Sequence, residues 1–97
     1  MPLPILEGTM DTAFTKEDLF MAHMLSLSNY DMLAKDKICG CFHCCKIFEP
    51  AKITEWINEK IGKTAVCPFC GIDSVLGESA GFPITEEFLN TMKKQWF

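Results

Sequence analysis

The sequence predicts a small α+β domain, and three observations lead to this fold class. The chain has 97 residues, enough for one domain with a modest core that benefits from an added cross-link. Three segments begin with helix-capping residues, and short β-prone runs lie between the second and the third. Two C-x2-C pairs fall among those runs. We therefore expect residues 1–97 to form one domain.

The N-terminal third is predicted to hold an extended arm and two helices. Residues 1–14 contain two prolines and a glycine and show little periodicity, which indicates an extended arm. Thr15 is a suitable N-cap for a helix over about 16–27, with acidic residues in its first turn. A second capping pair, Ser-Asn, favours a separate short helix over 29–36. Residues 15–36 should thus form a helical segment.

The middle of the chain, residues 38–76, is predicted to form two cysteine-bearing turns with a helix inserted between them. Pro50 suits the first position of a helix, and apolar residues then recur at i, i+3, i+4 and i+8 over residues 50–61. Gly62 suits the C-cap of that helix. Short strands are expected beside the cysteine turns, at 46–48, 64–66 and 74–76.

The C-terminal part is predicted to be a loop followed by a helix. The loop covers residues 77–83, which are rich in glycine and small residues. Thr85 is a suitable N-cap for a helix over 86–97, so the C-terminal helical unit covers 85–97. Two acids at the start of this helix and two lysines near its end match the helix dipole.

Compartment and cysteine content together point to metal binding. The N-terminus has prolines and acids where a secretory signal would carry positive charge, and no stretch approaches eighteen apolar residues. We therefore expect a soluble cytoplasmic protein without membrane contact. Reducing compartments disfavour disulfides, so six cysteines in such a chain indicate a metal site or catalysis.

The two C-x2-C pairs are Cys41 with Cys44 and Cys67 with Cys70. Each spacing suits a tight turn that presents two thiolates to one ion, and four soft ligands suit one structural Zn²⁺. Gly71 favours a zinc knuckle over a glutaredoxin-like redox pair, in which the second cysteine enters a helix. The expected architecture is a zinc-ribbon-like pair of β-knuckles with an inserted helix, flanked by N-terminal helices and a C-terminal helix.

Three more residues near the first pair carry possible ligand atoms. Cys39 is a possible alternative zinc ligand, since it lies next to Gly40 and close to the pair. Cys45 is expected to be a small buried residue or a partly exposed thiol rather than a ligand. His43 is expected at the exposed tip of the knuckle.

The sequence contains no catalytic pattern that we recognise. A zinc deaminase would carry H-x-E before its cysteines, and this motif is absent. A four-thiolate zinc has no open position for water, so zinc catalysis is not expected. We therefore expect a protein that is not an enzyme.

Several motifs occur together in a fixed order. They are CGCFHC over 39–44, CPFCGIDSV over 67–75, PIT over 83–85, FL at 88–89 and WF at 96–97. From about residue 26 to its end, the chain resembles a group of small bacterial cytoplasmic proteins with a zinc-ribbon-like core. The resemblance implies the same four zinc ligands and the helix–ribbon–helix order, but no activity. This group has an apolar residue where the chain has Cys45, which fits a non-ligand role for Cys45.

Charge then separates two kinds of function. The formal net charge is −4, and all nine basic residues are lysine, so the side chain best suited to reading duplex DNA is missing. The leading hypothesis is a non-enzymatic protein-interaction module, including the masking of a basic partner as an immunity protein masks a toxin. The alternative is a zinc-ribbon regulator that binds RNA or single-stranded nucleic acid. The candidate partner-binding residues are Phe42, His43, Phe69, Lys46 and Lys52.

Overall fold

The computed structural model describes residues 14–97, which form three helices and five short strands in two antiparallel sheets. The helices are α1 (Lys16–Met24), α2 (Tyr30–Leu33) and α3 (Glu86–Trp96). The strands are β1 (Cys39–Cys41), β2 (Ile47–Phe48), β3 (Trp56–Glu59), β4 (Gly62–Ala65) and β5 (Val75–Gly77). The predicted small α+β class is confirmed. The expected arm lies, up to residue 13, outside the described residues.

The two N-terminal helices are separate, as predicted, and both are shorter than expected. Thr15 caps α1 through a capping box: its hydroxyl accepts from the Asp18 amide at 3.1 Å, and its own amide donates to the Asp18 carboxylate at 3.0 Å. Ser28 has a φ of 50°, a left-handed conformation that no helix can continue. This residue therefore enforces the break, and α2 is a single turn after it.

Asn29, at that break, connects the helical segment to both sheets. Its side-chain amide donates to the carbonyl of Val75 in β5 at 2.8 Å. Its side-chain oxygen accepts from the amide of Ala65 in β4 at 3.2 Å. The side chain is buried, so these two bonds satisfy polar groups that water cannot reach.

The larger sheet has β1 at its centre, antiparallel to β2 on one side and to β5 on the other. Cys39 pairs with Phe48 in β2 and with Gly77 in β5, so the central strand is bonded along both edges. The smaller sheet is the β3–β4 hairpin, in which Trp56 pairs with Ala65. The predicted strands at 64–66 and 74–76 thus exist approximately, but they belong to different sheets, and β1 was not predicted.

The helix predicted over 50–61 is wrong. Residues Pro50–Lys52 form one 3-10 turn, and the chain then extends into the β3–β4 hairpin, with Gly62 as the first residue of β4. The apolar residues at helical spacing, Ile53, Trp56, Ile57 and Ile61, do not form one buried stripe, since Ile57 is 42% exposed and Ile61 is 88% exposed. Three of the four stripe residues are β-branched isoleucines, which lose rotamer freedom in helices and suit strands. Residues 56–59 therefore pair with β4 as a strand, although the spacing of their apolar residues would also suit a helix.

The C-terminal helix confirms its prediction and covers the larger sheet. Thr85 caps it by accepting from the Phe88 amide at 3.1 Å. Phe88, Leu89 and Met92 are buried on one side of α3. Gly40 lets this helix approach β1, because a Cβ atom at that position would lie 2.8 Å from a methyl group of Leu89. The predicted loop before α3 begins with the last residue of β5 and contains a 3-10 turn, Glu78–Ala80.

The buried side chains form two clusters, one on each side of the larger sheet. One contains Cys39, Cys41 and Cys67 together with Leu33, Phe48 and Val75. The other lies between α1 and α3 and contains Leu19, Ala22, Phe42, Leu76 and the buried residues of α3. None of the helices within residues 14–97 has the length and hydropathy to cross a bilayer.

Candidate metal centre

Four cysteine sulfurs converge at one point. The Sγ atoms of Cys41, Cys44, Cys67 and Cys70 all lie within 4.8 Å of one another. Cys41 and Cys70 are 3.6 Å apart, and Cys44 and Cys67 are 3.7 Å apart, measured between sulfurs. Thiolates about 2.3 Å from a tetrahedral zinc lie about 3.8 Å from each other. The four cysteines therefore form a group that could hold a metal ion.

The larger sheet and the connection between the two sheets each deliver one half of this group. Cys41 is the last residue of β1, and the turn after it carries Cys44 before the chain returns as β2. Cys67 and Cys70 lie in the turn between β4 of the smaller sheet and β5 of the larger one. Holding the four sulfurs together thus joins the hairpin to the three-stranded sheet.

The two cysteine turns share one backbone geometry. In the first, the His43 amide lies 3.3 Å from the Cys41 sulfur, and the Cys45 amide donates to the Cys41 carbonyl at 2.8 Å. In the second, the Phe69 amide lies 3.4 Å from the Cys67 sulfur, and the Gly71 amide donates to the Cys67 carbonyl at 2.9 Å. Amides aimed at sulfur stabilise its thiolate form, which is the form that binds metal.

The residue after each turn has a left-handed backbone. Gly71 has a φ of 79°, which fits its predicted role. Cys45 has a φ of 64°, although its side chain makes that conformation unfavourable. Its sulfur lies 3.4 Å from the Asn90 side-chain oxygen on α3. Aligning the first cysteine motif, C-F-H-C-C, with the second, C-P-F-C-G, places Cys45 opposite Gly71. This alignment could have predicted the left-handed backbone of Cys45, which the sequence analysis did not predict.

The environment of the sulfurs changes their pKa values in opposite directions. Burial raises the pKa of Cys41, but the Ser74 hydroxyl at 3.1 Å and the backbone amides of the turn lower it by more, so the net direction is downward. Burial raises the pKa of Cys67 and that of Cys70. A bound cation would displace the remaining protons, since metals bind the thiolate form.

Cys39, the possible alternative ligand, lies outside the converging group. Its sulfur is buried and lies 3.4 Å from the carbonyl oxygen of Phe48 in the neighbouring strand. Burial, followed by the negative charge of Asp36, raises the pKa of Cys39 to about 12. A thiol in this position packs under the site as a small apolar side chain.

The predicted partner-binding residues differ in their accessibility. Phe42, one of the candidate partner-binding residues, is only 1% exposed, so a role in surface contact is wrong for it and the alternative of core packing holds. Its amide donates to the Ser74 carbonyl at 2.9 Å, which continues the β1–β5 pairing and turns its ring toward α3. His43 is half-buried against Phe97, with ring centroids 4.7 Å apart.

Phe69 and the two candidate lysines remain at the surface. The Phe69 ring is 52% exposed and packs edge-on against Phe48, with centroids 5.3 Å apart. The Lys46 ammonium lies 5.4 Å from the centre of the Phe69 ring. Lys52 is exposed in the 3-10 turn.

Elsewhere in residues 14–97 no second group of cysteine, histidine or acidic side chains converges in this way. The chain matches no known family model, no curated protein and no solved structure. The group of four cysteines and the surface around it are therefore the features that bear on function.

Proposed function

We propose that this protein is a non-enzymatic protein-interaction module whose zinc-ribbon-like core is held by one structural Zn²⁺. The observation that carries the proposal is the convergence of four cysteine sulfurs within 4.8 Å. Soft thiolates at tetrahedral spacing suit a single zinc ion, and a group this tight leaves no room for an iron–sulfur cluster between the sulfurs. The likeness of the motifs to small bacterial zinc-ribbon-like proteins supports the same assignment.

The donor set also supports a structural role rather than a catalytic one. Four thiolates fill the coordination sphere of zinc, and a catalytic zinc needs a position for water or substrate. Two of the four cysteines are buried and two are half-buried, so the ion would be enclosed by the fold. The centre then stabilises the chain, and the function lies on the surface.

The surface of α1 supports protein binding. Large apolar side chains stay exposed along this helix and in the segment after it, namely Phe20, Met21, Met24 and Leu27. Exposed apolar patches of this kind mark interaction sites, and methionine adapts to irregular partners. The formal charge of −4 would become more negative by two units with four thiolates and one Zn²⁺, which favours a basic partner. Masking of a basic toxin is one form of this role.

Two measurements test the proposal. Elemental analysis of the purified protein should find one zinc per chain. Affinity capture from the native host should identify a basic protein, and binding should be reproduced with the purified partner. The double substitution Phe20→Ser with Met24→Ser should weaken that binding at least tenfold and leave the zinc content unchanged. A matched change of two exposed apolar residues outside α1 and the segment after it, Ile38→Ser with Ile47→Ser, should have little effect. A partner that is acidic, or a chain that folds fully in strong chelator, contradicts the proposal.

A second function is favoured by the neighbourhood of Phe69. An exposed aromatic ring with the Lys46 ammonium 5.4 Å away can stack on an unpaired base while the cation approaches a phosphate. Binding of RNA or single-stranded DNA that falls steeply with salt, and that Lys46→Glu with Lys52→Glu abolishes, would support this function. No binding at about 50 mM salt would exclude it.

A further inference from the structure

A cavity lies between α2 and the 3-10 turn that replaces the predicted central helix. Its volume is about 390 Å³, and Tyr30, Leu33, Asp36, Pro50 and Trp56 contribute to its walls. Cavities that bind small ligands or single side chains fall at about 300–1,000 Å³. The cysteine centre does not line this cavity, so the metal site does not explain it.

Two aromatic rings form one part of the cavity wall. Tyr30 and Trp56 meet edge to face, with ring centroids 4.8 Å apart and planes at 73°. Aromatic faces carry negative charge density, and tryptophan is the ring that attracts cations best. The Lys63 ammonium lies 5.3 Å from the centre of the Tyr30 ring, so this ring already has a cation near it within the molecule, whereas no such contact is found at Trp56 among the described residues.

Among the described residues that line the cavity, Asp36 is the one with a charged side chain. Its Oδ2 atom accepts from the Ser79 amide at 3.2 Å and from the Ser79 hydroxyl at 2.9 Å. Gly77 leaves room for this carboxylate, because a Cβ atom there would collide with Oδ2. Hydrogen bonds from Ser79, in the turn after β5, therefore hold the Asp36 carboxylate in place, and it does not rotate freely into solvent.

We propose that this cavity binds the cationic side chain of a basic protein partner, with arginine as the preferred residue. A guanidinium group can stack on Trp56 while one of its N–H groups donates to Asp36. The inference rests on the proposed function, since it names the chemistry of the partner and the place where it binds. The neutral isostere, citrulline, keeps N–H groups that can donate to Asp36, but it lacks the positive charge that strengthens this hydrogen bond and the attraction to Trp56.

The test uses ¹⁵N-labelled zinc-loaded protein titrated with N-acetyl-L-arginine amide, followed by nuclear magnetic resonance. We expect saturable shifts of the Trp56 indole N–H and of the amides of Asp36 and Ala51. N-acetyl-L-citrulline amide, the neutral isostere, should bind at least fivefold more weakly. Asp36→Asn keeps an oxygen that can accept from Ser79 and should also weaken arginine binding at least fivefold. Asp31→Asn removes the same charge from α2 outside the cavity and should change nothing.

Three results would overturn the inference: equal binding of the arginine and citrulline amides, equal loss in Asp36→Asn and Asp31→Asn, or shifts confined to residues remote from the cavity. Trp56→Leu provides a second variant, and the zinc content and unfolding midpoint of each variant show whether its fold is intact. If a basic partner binds while the amide does not, the cavity is refuted and the proposed function stands. If the partner proves to be RNA, the proposed function fails while the amide titration still tests the cavity.

Discussion

Cys45 and Gly71 occupy equivalent positions in the two halves of the four-cysteine group. Each follows the second cysteine of its pair, and each has a left-handed backbone, with φ values of 64° and 79°. Each amide donates to the carbonyl of the first cysteine of its pair, at 2.8 Å and 2.9 Å. The turn geometry requires the left-handed residue, and only one of the two sites has the residue type that adopts it freely.

This equivalence predicts unequal effects of substitution at the two sites. Gly71→Ala should lower the free energy of unfolding by about 1–2 kcal/mol, because the added Cβ disfavours the left-handed backbone. Cys45→Gly relieves the same strain, but the glycine also gains freedom in the unfolded chain. The free energy of unfolding should therefore change by less than about 1 kcal/mol. Urea denaturation with zinc in excess measures both. Loss of bound metal in Cys45→Gly would contradict the non-ligand role of Cys45.

Removing one ligand should abolish both metal binding and folding. Cys67→Ser should lose the zinc and leave the chain largely unfolded, because structural zinc contributes on the order of 10 kcal/mol to small modules. Elemental analysis and circular dichroism measure the two effects. Cys39→Ala is the matched control: it removes a buried cysteine outside the converging group, so it should keep one zinc per chain. If Cys39→Ala loses the metal, the assigned ligand set is wrong.

Zinc affinity should rise with pH across the neutral range. Burial raises the pKa of Cys67 and of Cys70, so without metal both are protonated thiols at pH 7. Each must release its proton to bind zinc, and the apparent affinity should therefore increase about tenfold per pH unit for each proton released. Competition with a chromophoric chelator at pH 6, 7 and 8 checks the slope. An affinity independent of pH would mean that the thiols are already ionised.

The contrast between Phe42 and Phe69 predicts which turn residue supports the core. Phe42→Ala should destabilise the protein by about 3–5 kcal/mol, because it empties a buried site beneath α3. Phe69→Ala removes a ring that is 52% exposed and should cost less than about 1 kcal/mol. Thermal unfolding of the zinc-loaded variants separates the two. Equal losses would contradict the burial difference between these rings.

Local sequence determined the features that depend on neighbouring residues. The capping box at Thr15 and the N-cap at Thr85 are satisfied within one turn, so α1 and α3 begin where their sequences predict. The x2 spacing of each cysteine pair allows a turn that presents two sulfurs, and Gly71 permits its exit. These features depend on contacts within a few residues and could be predicted without a fold.

Only the folded structure decided the features that depend on strand pairing and on packing between elements. Residues 56–65 form a hairpin instead of a helix because pairing of β3 with β4 outweighs the apolar spacing that suggested one. Phe42 is buried because β5 pairs with β1 and α3 covers that face, so its place in a turn did not indicate exposure. The Asp36 carboxylate beside the cavity likewise takes its position from Ser79, which lies 43 residues further along the chain. The burial of Phe42 and the position of Asp36 are set by contacts between segments far apart in sequence, which no local pattern records. The hairpin pairs neighbouring strands, and its β-branched isoleucines are a local sign of it that the apolar spacing outweighed in the prediction.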